Sequence, residues 1–277
     1  MFAAMALLTK LVAARLPGPE VALVRFLVGL AVCALAATRV PLRARNKLGL
    51  LMRGAYGGAA VFFYFLGIEH LPVGIATLLN YTAPVFTAIY AAAFLGEAIT
   101  ARTLGALALT TIGVVMVIVG TSPGGARGGL TFDRWALAGV LSAVLSGAAV
   151  ATIREVRKTD GSWEIFAAFC AAGAAIAAVP AVRGWVRPLP AEWLLLLAVG
   201  VTSVVGQLLM TYALRYVRSA VGGIIAQLTP VTSLALGWAM FGDRIAGLAL
   251  GGAALTLLGV SVGAYLATGR EADPVDE

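Results

Sequence analysis

Ten apolar runs, each near the length of a membrane-spanning helix, dominate this sequence and leave it little else to fold with. They fall at about 1–16, 21–38, 48–68, 72–95, 101–120, 134–153, 163–182, 192–214, 219–241 and 245–267. Crossing the hydrocarbon core takes roughly 20 apolar residues in a helix. Ten spans therefore consume most of the 277 residues, and the remainder suits short connections. The runs are continuous and do not alternate, which specifies helices rather than barrel strands. Only 12% of residues are charged and 61% are hydrophobic. A soluble domain carries about 25% charge and cannot cover its surface with half of that. The reading is an all-α integral membrane protein with no room for a globular domain.

The chain has 20 Lys and Arg against 13 Asp and Glu, a net +7. These charges lie scattered between apolar runs, so they read as an excess in the loops on one membrane face. No nucleic-acid partner is expected. Alternate loops carry 12 basic residues (Arg39, Arg43, Arg45, Lys47, Arg53, Arg102, Arg154, Arg157, Lys158, Arg215, Arg218, Arg270) against 7 (Lys10, Arg15, Arg127, Arg134, Arg183, Arg187, Arg244); Arg25 lies inside the second run. That bias predicts that both termini are cytoplasmic, and the expected location is a bacterial-type inner (plasma) membrane. Met1 opens straight into Phe-Ala-Ala-Met-Ala-Leu-Leu with no basic stretch before it, so no cleavable signal is expected. Cys33 and Cys170 stand far apart inside apolar runs and read as small buried residues. No metal or cofactor is expected.

Residues 121–133, with four Gly and a Pro, form the one flexible linker near the middle. Shifting the sequence by 146 residues superposes the two sides of it. Pro84 falls on Pro230, Gly96 on Gly242, Gly105 on Gly251, Thr110 on Thr256 and Gly113 on Gly259. In all, 12 of the 37 positions from 84 to 120 are identical. The chain thus divides into a repeat at 1–120, the linker at 121–133, and a second repeat at 134–277 with a short tail. Each repeat holds five helices, an odd number, so the second enters the membrane inverted. Inverted halves are a ground plan of secondary transporters, with the substrate near the midplane between them.

The residues carrying these signals resemble a known family. Gly67-Ile68-Glu69-His70-Leu71-Pro72-Val73-Gly74, Pro84, Phe94-Leu95-Gly96-Glu97-Ala98-Ile99 and Gly105 resemble an EamA-type repeat. Ala213-Leu214-Arg215-Tyr216, Pro230, Phe241-Gly242-Asp243-Arg244-Ile245 and Gly251 resemble its second copy. This is the pattern of the drug/metabolite transporter superfamily, with the amino-acid exporters of the YddG type nearest. The resemblance implies ten helices in two five-helix repeats, with helices 1–4 and 6–9 around a central cavity and helices 5 and 10 outside it. It departs from the family in a short first helix and in Asp243 where Glu is usual.

A mid-helix proline frees backbone carbonyls that need a polar cavity or a neighbour. Pro84 follows Asn80, Tyr81 and Thr82, and Pro230 follows Gln227 and Thr229, so equivalent places in both halves combine a bend with polar groups. Helical spacing adds Tyr56 and Tyr64 on the third helix, Gln207 on the eighth and Trp238 on the ninth. Such a mixture suits a small amphipathic metabolite. Packing explains each aromatic, taken singly, equally simply. Lys10 and Arg25 must face the cavity or snorkel, and a cavity-facing cation such as Lys10 would hold a substrate carboxylate. Glu97 and Asp243 are expected to cap the helices that follow them. Gly54/Gly58, Gly247/Gly251 and Gly259/Gly263 are spaced for close helix approach.

No acid falls mid-helix, which argues against a proton-coupled carboxylate and for facilitated, gradient-driven flux. The expected activity is export of small metabolites, amino acids (aromatic and other neutral) first, multidrug or nucleoside export next. An intramembrane enzyme is disfavoured: His70 is the sole histidine and neither a Gly-x-Ser-x-Gly nor a His-Glu-x-x-His motif occurs. No phosphate-binding Gly-x-x-x-x-Gly-Lys loop exists for an ATP-driven pump. The sequence assigns no oligomeric state.

Overall fold

The computed structural model describes residues 1–13, 15–70, 79–97, 99–121, 134–241 and 246–268. All regular structure in these residues is helical. The helices are α1 (Phe2–Val12), α2 (Gly18–Ala37), α3 (Lys47–His70), α4 (Ala83–Leu95), α5 (Ala101–Thr121), α6 (Arg134–Val156), α7 (Ser162–Arg183), α8 (Pro190–Ala213), α9 (Ser219–Ala226), α10 (Leu228–Phe241) and α11 (Gly247–Thr268). Seven spans among the described residues are long and apolar enough to cross a membrane, with α9 and α10 counted together. The chain is a multi-pass membrane protein. α1 covers only 11 residues and α4 only 13. Pro72, most of the linker, Asp243 and the C-terminal tail lie outside the described residues.

Helix ends follow their local sequence. Extended Pro17 precedes α2, and prolines occupy the first turns of α2 and α8, where a missing N–H is harmless. Glu192, in the first turn of α8, accepts the backbone N–H of Leu189 at 2.6 Å. α4 ends on Gly96 with φ +64°, a left-handed turn that only glycine adopts cheaply, and the Glu97 N–H closes it on the Ala91 carbonyl at 3.1 Å.

The most extensive helix packings all join the chain before residue 122 to the chain after 133: α5 with α11, α3 with α6 and α7, α2 with α7 and α8, α4 with α6, α1 with α8. Neither half builds its core alone. These pairs are related by swapping each helix for its counterpart 146 residues away. α3 on α6 answers α1 on α8, α3 on α7 answers α2 on α8, and α4 on α6 answers α1 on α10.

The relation reaches individual atoms in α5 and α11. A Cβ at Gly113 would sit 2.6 Å from the Gly252 carbonyl oxygen and would also strike Thr256. A Cβ at Gly259 would sit 2.6 Å from Thr110. Gly259 and Thr256 are the repeat partners of Gly113 and Thr110, so the contact is reciprocal, as at a two-fold interface. Gly54 and Gly58 likewise press on Ala168 and Gly173, and Gly263 on Ile224. Gly247, however, faces open space and Gly251 meets only the tip of Met116. The close approach uses Gly252, one position on from the spacing read in the sequence.

Loops are held across the halves by carboxylates. Asp160 accepts the backbone N–H of Arg45 at 2.7 Å and of Asn46 at 2.9 Å, and Glu164 accepts that of Arg43 at 3.1 Å. On the opposite face Glu20 accepts the Val186 N–H at 2.9 Å, and Arg15 pairs with Glu192 through Nε at 2.7 Å. Glu20 and Glu164 are each the third residue of counterpart helices α2 and α7. Burial pushes Asp160 up, but hydrogen bonds from Thr159 and the Arg45 and Asn46 amides outweigh it and hold its carboxyl below the usual range. The Glu192 hydrogen bond raises Arg15.

Candidate functional site

The two prolines mark two helix breaks. A turn at Tyr81–Thr82 precedes α4, and Pro84 sits in the first turn of α4. Gln227 alone separates α9 from α10, with Pro230 in the first turn of α10. Position 81 plus 146 is 227, so the breaks are repeat equivalents. Thr82 Oγ1 donates to the Leu79 carbonyl at 2.6 Å, satisfying a carbonyl near the break. Both prolines are buried, and a Cβ at Gly223 of α9 would lie 3.2 Å from Pro84 Cβ. The broken segments of the two halves therefore touch.

The polar groups beside the breaks are partly consumed by packing. The Asn80 amide donates to Ser142 Oγ at 2.9 Å, and Ser142 donates to the Ala60 carbonyl at 2.8 Å, linking the fourth run to α6 and α3. Gln227 is 0% exposed; its amide donates to Thr111 Oγ1 at 3.3 Å, while its carbonyl oxygen is buried with no partner. Tyr81 is half-buried within electrostatic reach of Tyr64, and Tyr56 and Tyr64 are half-buried on α3. Trp238 stands 60% exposed on α10. Lys10 falls in α1, with its side chain outside the described residues, as is that of His70.

Gln207 joins a different group. Its side-chain oxygen accepts a bond from an Arg53 guanidinium nitrogen at 3.4 Å. Arg53, counted with the loops from the sequence, is the seventh residue of α3 and is 3% exposed. Removing it from the charge comparison leaves 11 basic residues against 7. Its guanidinium lies 4.5 Å from the Phe169 ring centre. Arg25 lies 5.9 Å from the same ring and 4.8 Å from that of Phe26. The signal for Arg53 was available, since it stands five residues inside an apolar run; Phe169 and Ser142 carried none.

Glu97 does cap a helix N-terminus, but not the next one. It accepts the Ser219 N–H of α9 at 3.1 Å and pairs with Arg154 at 3.0 Å, while the start of α5 is capped by Thr100 Oγ1, which accepts the Thr103 N–H. Every described carboxylate sits at a helix end or in a loop. Cys33 and Cys170 are buried and unpaired. No cluster of His, Cys, Asp and Glu suited to a metal occurs among the described residues. One cleft, walled by Pro19, Ala22, Phe26, Gly58, Phe62 and Gly173, is small and apolar and offers a polar substrate nothing.

Comparison with known proteins agrees with this architecture. The chain is 28% identical over 261 residues to the pseudopaline exporter CntI of Pseudomonas aeruginosa, covering 93% of this chain and 89% of that one. It is 28% identical over 223 residues to an uncharacterized transporter of Archaeoglobus fulgidus, covering 79% and 76%. A solved structure described only as the crystal structure of a protein superposes with a TM-score of 0.81 at 23% identity, over 98% of this chain and 97% of the other. The sequence model of the EamA-like transporters matches residues 1–119 and again 133–264. The chain belongs to the EamA-like transporter family.

Proposed function

We propose that this protein is a secondary transporter that exports a small amphipathic metabolite by alternating access. Ten spans in two inverted five-helix repeats, 1–120 and 134–277, surround a central cavity. Loops 38–46 and 157–161 and both termini face the cytoplasm of a bacterial-type inner membrane. The observation that carries the reading is the pair of helix breaks at Tyr81 and Gln227, at equivalent places in two halves that pack reciprocally. Two similar halves of opposite orientation give an outward-open shape and an inward-open shape of similar energy. A break lets the ends of one span move separately. The two stretches matched by the family model and the exporter name of one relative support the same reading.

The candidates for the substrate site are Asn80, Tyr81, Pro84, Gln227 and Pro230 beside the breaks, together with Tyr56, Tyr64, Gln207, Trp238 and Lys10 from the other helices. Amino acids are the substrate class to test first, with drugs and nucleosides next. The test is counterflow in liposomes holding purified protein and a panel of unlabelled metabolites. Saturable uptake of labelled substrate against trapped unlabelled substrate is expected. Non-saturating flux without counterflow would make the protein a channel.

A further inference from the structure

Two arginines lie inside the helix bundle, and no described acid neutralises them. Among the described residues, no carboxylate pairs with Arg25 or Arg53. Their polar contacts are the weak bond from Arg53 to Gln207 and a 3.9 Å approach of Arg25 to the sulfur of Met5. Arg53 Nε and one terminal nitrogen, and Arg25 Nε, are buried with no partner. Both guanidiniums pack on Phe169, so their central carbons lie within about 10 Å of each other. Aromatic packing satisfies the face of a guanidinium and leaves its N–H edge free to bind an anion.

Position strengthens the case. Arg53, Phe169 and Gln207 each lie about 10 Å in from the helix ends that meet loops 38–46, 157–161 and 214–218, at 1.5 Å per residue. That depth is inside the hydrocarbon layer, where an unneutralised cation is strongly disfavoured. The repeat does not demand the charge: 146 residues on, Ala171 and Val199 replace Arg25 and Arg53. Arg53 lies toward the face from which an exporter loads, and Arg25, the eighth residue of α2, reaches the same ring from about 10 Å inside the opposite face.

We infer that Arg53 and Arg25, assisted by Gln207, form the binding site for an organic anion bearing two carboxylates, and that the exported substrate is of this class. The inference rests on the exporter reading and narrows it away from neutral amino acids. A zwitterion offers one carboxylate but no net charge, so it leaves the two cations with the same net positive charge and adds a buried ammonium. A dicarboxylate neutralises both and accepts their free N–H groups, while Phe169 and Phe26 cover its apolar part.

The test measures binding apart from transport. Purified protein in nanodiscs is titrated calorimetrically with dicarboxylates (phenylsuccinate, succinate, N-acetylglutamate) and with the phenylsuccinate diamide. Phenylsuccinate should bind and its diamide should not. R53Q should weaken binding roughly 10- to 100-fold, R25Q less, and R53K should recover only part, because an ammonium lacks the planar fork. R53Q should unfold on heating no earlier than wild type, since it removes an uncompensated buried charge. Equal binding of acid and diamide, or binding untouched by R53Q, overturns the inference; so does an R53Q protein that melts earlier yet binds normally. Equal preference for sulfate or phosphate overturns the dicarboxylate assignment. If counterflow succeeds with neutral substrates while no dicarboxylate binds, only this inference fails. If no metabolite shows counterflow, the exporter reading fails instead.

Discussion

Asp160 shows how single carboxylates organise the loops of a chain this poor in charge. It holds two backbone N–H groups of the loop between α2 and α3, 115 and 114 residues distant. Hydrogen bonds to an ionised group are worth about 1.5–3 kcal/mol each, so D160N should lower stability at pH 7 by about 1–3 kcal/mol in a detergent melt. The sign of the pH effect follows from its depressed value. Its contribution is complete above the unfolded carboxylate range, near 4, and is lost as pH falls through the lower folded value. Melting scans from pH 7 to 3 should therefore show wild type converging on D160N at the acid end. Parallel curves would place the linkage elsewhere. Residue by residue, the sequence showed that Arg53 stands inside an apolar run but not what surrounds it, because the ring and the amide that it meets come from α7 and α8.

At the scale of elements, close packing separates glycines that the sequence makes look alike. Gly113 and Gly259 each meet the opposing helix at distances no Cβ tolerates, whereas Gly105 and Gly247 face open space. Gly113→Ala and Gly259→Ala should each destabilise the protein by about 1–3 kcal/mol. Gly105→Ala should be neutral or stabilising by up to about 1 kcal/mol, because alanine is the better helix former. Thermal unfolding of the three variants in one detergent decides it, and equal midpoints would mean that α5 and α11 do not pack this way. The breaks make a separate prediction. P84A and P230A should fold normally but transport at least about tenfold more slowly if the breaks move, and unchanged counterflow rates would reduce the prolines to packing. Helix existence, most boundaries and the proline positions were legible because hydropathy and proline chemistry act locally. The identity of the glycines in contact was not, since Gly252 and Gly251 differ only by a rotation of about 100° about the α11 axis.

The whole molecule is an interlock of two halves, not two domains in series. Cutting the chain between residues 121 and 134 should leave two pieces that co-purify when expressed together, while each alone is degraded or aggregates. A stable single half would contradict the packing of α2, α3 and α4 on α6, α7 and α8. Energetics at this scale concern the driving force. With no described carboxylate in mid-membrane, uptake into liposomes should need no imposed pH gradient. A membrane negative inside favours anion exit by about 2.3 kcal/mol per charge per 100 mV. A potassium diffusion potential, positive on the receiving side, should therefore accelerate net movement of a dicarboxylate. A rate that follows the pH gradient and ignores the potential would point to a proton-coupled carrier instead.

The sequence alone determined that this chain lives in lipid, that it is helical, and that its two halves repeat with a shift of 146. Each of these follows from local composition, helix length or internal identity. It also marked both breaks, because proline and its polar neighbours act within one turn. Tertiary structure alone decided which helices meet, that Glu97 caps α9, that Asn80 is spent on Ser142, and that Gln207 belongs with Arg53. The reason is physical. In an apolar chain every helix face is equally greasy, so hydropathy cannot say which face meets which partner, and the few polar groups take their roles from whatever residue packing brings within hydrogen-bond reach.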